Sequence, residues 1–341
     1  MKNRTYFVII LSILQLIAGC DNDKNIKHSK ESSKKETKHI KELRADYQNS
    51  LDSLQNDISK LTETKKKLLN KEEFAKSEIY KILQNSDLDH IIIGTKKFNE
   101  SKLLFEKLGF SIKGGKQHKN GIKNFFVEFS DSSEIEIISI HSPNDPLATF
   151  YKSFLDNEQY GFQFALRTKN IKELARSFHI VKSNFTEISE NKIYTTLSQK
   201  NLNQVLPLFF IEYIQGHSDS FTDRSNNMEG LSSVWLSTKD IRKSIHQYSD
   251  FGFSLVDTVT VADIKSKTAL LKNDNFELIL IESKNYDISG TTIKITKIKE
   301  LQKHLAKNLD IDIEIKNSKR GRSIYLSPLI TKSIWIEFLE N

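Results

Sequence analysis

The sequence predicts an α+β fold of four repeated strand–helix–strand modules in tandem pairs, preceded by a long helical stalk. Three observations predict it. One layout recurs four times after residue 87. The segment before it lacks glycine and proline and carries apolar residues at helical spacing. The only cysteine stands directly behind a short apolar run. At 341 residues, with 38% hydrophobic and 28% charged content, the chain can form two ordinary domains and a polar appendage.

Met1-Lys2-Asn3-Arg4 is a basic start, and the apolar stretch from Tyr6 to Ile17 is too short to span a bilayer. Ile17-Ala18-Gly19-Cys20 follows, completing the build of an export signal. Small residues before that cysteine resemble the lipobox of bacterial lipoproteins. The resemblance implies removal of residues 1–19 and acylation of Cys20. It further implies a chain anchored to a lipid bilayer of the cell envelope, on the exported side. A single cysteine excludes an internal disulfide framework and a cysteine-based zinc site. The net charge of +7 arises largely from lysines between Lys24 and Lys71, interleaved with Glu and Asp and showing no aromatic-plus-basic recognition pattern. A solvated surface is expected there, and nucleic acid is not an expected partner.

Residues 20–37 are polar and lysine-rich and read as a flexible tether. Residues 38–86 turn helical. Leu51, Leu54, Ile58, Leu61 and Leu68 follow one another at three- and four-residue steps, with Lys65 interrupting the seam. Such a helix would reach on the order of 65 Å. It serves either as a spacer from the membrane or as a coiled coil that makes a homodimer.

The body begins at residue 87. Its first module runs from Leu88 through Thr95-Lys96 and a helix ending at Phe110, and closes on Ile135-Glu136-Ile137. The second has Phe162 to Leu166, Thr168-Lys169, a helix from Ile171, and Phe210-Ile211-Glu212-Tyr213. The third has Ser233 to Leu236, Thr238-Lys239, a helix from Asp240, and Phe276-Glu277-Leu278. The fourth has Thr291 to Ile295, Thr296-Lys297, a helix from Ile298, and Trp335-Ile336-Glu337-Phe338. Four units in register are far less common by chance than two. A charged side chain on an otherwise apolar strand is costly unless paired, so His90 and Glu136 call for a common reason.

Leu88-Asp89-His90-Ile91-Ile92-Ile93-Gly94, Leu108-Gly109-Phe110, Gly114-Gly115 and the Ile135-Glu136-Ile137 strand resemble a glyoxalase-like domain of the vicinal oxygen chelate superfamily. Pro207-Leu208-Phe209-Phe210-Ile211-Glu212-Tyr213 is similar to the same group. The resemblance implies βαβββ modules in two domains, one over residues 87–218 and a degenerate one over 230–341. It also implies that paired modules curl their sheets around one site, with ligand positions on the first and last strand of each.

Counting from the Thr-Lys linkers carries His90 onto Gln163, and the closing strands align Glu136 with Glu212. His90, Glu136, Gln163 and Glu212 are therefore the implied ligands of a divalent ion (Zn, Ni, Co, Mn or Fe). Glu212 or Glu136 would serve as catalytic proton shuttle, in a lyase or isomerase acting on a small α-oxo or vicinal-oxygen compound. Purely structural roles are equally open to these residues. His90 can be a strand-edge histidine held by Asp89, the two glutamates can face solvent, and Gln163 can be a hydrogen-bonding residue. The same count places Ser233 and Thr291 at the first-strand positions of the second pair, leaving only Glu277 and Glu337. That half is expected to be structural or to bind an organic ligand. The competing class for the whole chain is a non-catalytic module that binds small molecules, or a surface interaction protein.

Overall fold

The computed structural model describes residues 30–200, 206–214 and 227–340, with side chains from Lys38 onward. The export signal, Cys20 and the first part of the tether lie outside these residues. The chain divides into two units, residues 1–68 and 69–341.

The first unit carries most of helix α1, Lys30–Gln84, which is 55 residues long. Its opening turns fall inside the segment read as tether. Lysine and glutamate are good helix formers and nothing there breaks the ladder, so the helix starts earlier than the composition suggested. Leu54, Ile58, Leu61 and Leu68 are all exposed along it. The last turns of α1 belong to the second unit, where Ala75, Ile79 and Leu83 are buried. Asn273 and Asn275 there donate side-chain hydrogen bonds to the Ser86 carbonyl just past the helix end, at 3.4 and 3.3 Å.

The second unit contains two eight-stranded sheets of matching order. The first combines β1 (Asp87–Gly94), β2 (Ile112–Gln117), β3 (Ile122–Glu128), β4 (Glu134–Ile140), β5 (Gly161–Arg167), β6 (Phe185–Glu190), β7 (Tyr194–Gln199) and β8 (Leu208–Tyr213) in the order β2-β3-β4-β1-β5-β8-β7-β6. The second combines β9 (Met228–Thr238), β10 (Ser254–Asp257), β11 (Thr268–Lys272), β12 (Glu277–Glu282), β13 (Ile288–Ile295), β14 (Lys316–Ser318), β15 (Gly321–Leu326) and β16 (Trp335–Glu340) as β10-β11-β12-β9-β13-β16-β15-β14. Each sheet joins two βαβββ modules through an antiparallel central pair, β1 with β5 and β9 with β13. The α+β tandem-module architecture is thus what the repeats predict.

Strand alternation gives each sheet two apolar faces. One packs on the module helices α2 (Phe98–Lys107), α4 (Ile171–Ile180), α5 (Ile241–Ser249) and α6 (Ile298–Leu309), and both sheets share that core. Phe110 stacks on Phe338 at 5.8 Å and Phe178 meets Phe251 at 5.9 Å, fusing the two halves. The repeated linker threonine has a local task. Thr95 shares a hydrogen bond with Ser101 (2.6 Å) and Thr238 with Ser244 (2.7 Å), tying strand end to helix in two modules. Gly109 ends the first of these helices at φ 93°, a conformation that side chains resist.

The opposite face of the first sheet is covered at one end by α3 (Pro146–Asp156), which starts with Pro146 and is capped by Asp145 accepting from the Ala148 N–H at 2.7 Å. Ala148, Tyr151 and Leu155 of α3 pack there on Ile92, Ile138 and Phe162. On the second sheet, the segment between β10 and β11 lays Val261 on Trp235 and Ile279.

Candidate functional site

The site lies on the face of the first sheet that bears α3. Its geometry follows from strand register. In the β1–β5 pair, Ile91 stands opposite Phe164, so His90 and Gln163 are related across the pair, each one residue before its centre. Parallel pairing extends the relation outward. Ile92 stands opposite Glu136 on β4, and Ala165 opposite Phe209 on β8. The four corresponding positions are therefore His90, Gln163, Glu136 and Phe209.

Three of the expected residues share this face, and the fourth does not. Glu212 lies three residues beyond Phe209, and an odd step on a strand reverses the side chain. Its carboxylate accepts from the Ile171 N–H at 3.1 Å and caps α4 instead. Glu340 does the same for Ile298 at 3.0 Å in the last module. The assignment of Glu212 as ligand and proton shuttle is corrected accordingly: it is a helix cap.

The remaining donors are engaged within the protein. Gln163 Oε1 accepts from the Tyr151 hydroxyl at 2.5 Å, both groups buried. Glu136 Oε1 accepts from Asn124 Nδ2 at 2.8 Å. His90 Nδ1 stands 2.7 Å from Asp89 Oδ1, and the Phe209 ring meets the imidazole edge-on at 5.4 Å. Asp89 is only 3% exposed; it also accepts from Tyr213 at 3.1 Å and has Arg167 at 3.7 Å. Burial alone would push the His90 imidazole down, but the Asp89 hydrogen bond and the charges of Asp89, Glu136 and Glu134 outweigh it and raise its pKa. For Asp89, burial pushes the carboxyl up, and the hydrogen bond and charge of His90, with help from Arg167 and Tyr213, bring it below the usual value. The His90 imidazole thus sits among acidic side chains that favour its protonated form.

Glu134, which the sequence reading missed, stands opposite His90 across the β1–β4 pair. Burial pushes its carboxyl up to about 7 against the opposing pull of Lys113 and His90. Glu134 and Glu136, two residues apart on one strand, face the same way. That period-two pair was the available signal.

This donor set does not fit the implied four-ligand ion. One position is a phenyl ring, and the amide oxygen at another is held by Tyr151. Among the described residues, no three His, Cys, Asp or Glu side chains converge on a point where an ion could sit. What the arrangement does offer is an imidazole of raised pKa flanked by Glu134 and Glu136, with half-buried Phe126 and Phe209 on the same face.

In the second sheet, Ser233 stands where His90 does, opposite Glu277 on one side and Thr292 on the other, and Thr292 in turn stands opposite Glu337. A register shift puts Thr292, not Thr291, in that row. Trp235 lies so close over Gly290 that any Cβ there would strike its ring at 2.5 Å.

Comparison with known proteins agrees with this fold. Residues 88–190 match the family model of the glyoxalase-like domain. No curated protein matches the chain in sequence. Among solved structures, a hypothetical protein from Staphylococcus aureus is similar at 16% identity and a TM-score of 0.50, over 75% of this chain and 100% of that one. A mutant of 4-hydroxymandelate synthase from Streptomyces coelicolor is similar at 10% identity and 0.52, over 75% and 92%. A variant of homoprotocatechuate 2,3-dioxygenase from B. fuscum is similar at 9% and 0.50, over 74% and 75%. At these identities the likeness is one of fold.

Proposed function

We propose that this chain is a lipid-anchored binding protein whose glyoxalase-like half holds a small planar organic molecule without a catalytic metal. The observation that carries the reading is Phe209 standing in the fourth donor position with its ring on His90. The resemblance to the glyoxalase-like group implies a metal centre that draws donors from both modules of a pair. Here the second module supplies a phenyl ring and an amide already bonded to Tyr151. Aromatic walls with a few fixed polar groups are the usual make-up of a small-molecule site. With Nδ1 engaged by Asp89, the Nε2–H of His90 is the donor available to a ligand oxygen.

The anchoring part of the proposal rests on Ile17-Ala18-Gly19-Cys20. Several acyl chains at about 0.8 kcal/mol per buried CH₂ give durable attachment. In this reading α1 acts as a spacer.

Titration of the full chain with homoprotocatechuate and with 8-anilinonaphthalene-1-sulfonate, in the presence of a chelator, tests the binding function. Saturable uptake of at least one, weakened roughly tenfold by Phe126→Ala and Phe209→Ala, is expected from the loss of aromatic contacts. Uptake of neither, or uptake that requires an added divalent ion, overturns the proposal.

A further inference from the structure

The second sheet holds a charge cluster that the binding reading does not use. Glu337 is fully buried, with 0% exposure, on the face away from the helices. Its Oε1 accepts from Ser323 at 2.7 Å, and its Oε2 accepts from Thr292 at 2.7 Å and from Arg320 Nη1 at 2.8 Å. The other terminal nitrogen of Arg320, Nη2, lies 3.2 Å from Glu277 Oε2. Thr292 is further linked to the Ser233 hydroxyl and to Trp235 Nε1 at 3.0 Å. Glu277, Ser233, Thr292 and Glu337 form one row across four strands, and the guanidinium joins the carboxylates at its two ends. Arg320 comes from the turn between β14 and β15, so it reaches the row from the sheet edge.

We propose that this row is a cation site whose occupant is the chain's own Arg320. Two carboxylates and three hydroxyls (Ser233, Thr292, Ser323) are an all-oxygen set of the kind that suits a hard divalent cation. A planar guanidinium with paired donors spans the two carboxylates, the fully buried Glu337 and the partly exposed Glu277. The second half therefore needs no external ion, and removing the guanidinium converts the row into a site for one. This holds whether or not the first half binds a ligand.

Thermal unfolding of the full chain, wild type and Arg320→Ala, in chelator and with millimolar Mn²⁺ or Ca²⁺, tests the proposal. The wild type should be indifferent to either ion. The variant should lose about 10 °C in Tm in chelator, as befits an uncompensated buried carboxylate, and recover more than half of that with the ion. A variant as stable as wild type, or one that no divalent ion stabilises, overturns the proposal. If Arg320→Ala does not fold, the double variant Arg320→Met with Glu337→Gln decides. It should fold and ignore both ions; failure to fold, or stabilisation by the ions, contradicts the assignment.

Discussion

The rings of Phe209 and His90 meet at 5.4 Å and 68°, a T-shaped contact on the face where paired modules would place their ligands. The contact does two things. It removes a donor from the second module, and it leaves the imidazole to be fixed by Asp89 alone. The imidazole so held is part of the wall of the site.

Removing that imidazole should be expensive. His90→Ala leaves Asp89 buried with only Tyr213 and the more distant Arg167. A loss of about 3 kcal/mol in unfolding free energy at neutral pH is expected from urea denaturation, because a buried charge loses its partner. His90→Ala with Asp89→Ala together should cost less than the sum of the two single changes. Strict additivity would contradict the pairing.

Stability should fall as pH rises from weakly acidic to neutral. Glu134 has an ordinary pKa of 4.5 and about 7 in the fold, so between these values the folded chain keeps a proton that the unfolded chain releases. His90, raised above 6.5, contributes stability that is complete below 6.5 and is lost as pH rises through its folded value. Asp89 acts oppositely: its contribution is present above 3.8 and disappears as pH falls through its lowered folded value. Glu134→Gln should flatten the profile between pH 4.5 and 7; a steeper decline there would contradict the assignment.

Glu212 separates a cap from a ligand. Glu212→Ala should cost about 1 kcal/mol, the usual loss for a side chain that satisfies a first-turn N–H. It should leave small-molecule uptake unchanged. Glu340→Ala should behave alike on α6. Chemical denaturation beside a binding titration measures both quantities, and loss of uptake in Glu212→Ala would place that residue in the site after all.

Much of the fold was legible because each module repeats a strong local signal. The Thr-Lys linkers mark where strand becomes helix, and two of the threonines bind the helix they precede. His90 and Glu136 could be found because a lone charge in an apolar strand is conspicuous. Register was less legible. Phe210-Ile211-Glu212-Tyr213 looks like Trp335-Ile336-Glu337-Phe338, yet pairing aligns Glu337 with Phe209, and the three-residue slip reverses the face. A shift within β13 likewise moves Thr291 out of the row and Thr292 into it. Arg320 gave no signal, because a basic residue in an edge turn looks like solvated surface until the sheet brings Glu277 and Glu337 to it.

In the proposed reading, one phenyl ring and one tyrosine hydroxyl stand between this chain and a metal centre. Thermal unfolding with and without Ni²⁺, on wild type and on Phe209→Glu with Tyr151→Phe, tests it most directly. No response is expected from wild type, and in the double variant an upward Tm shift of about 5 °C that a further His90→Ala abolishes. Wild-type protein stabilised by Ni²⁺, or purified with one equivalent of metal that His90→Ala loses, would contradict it.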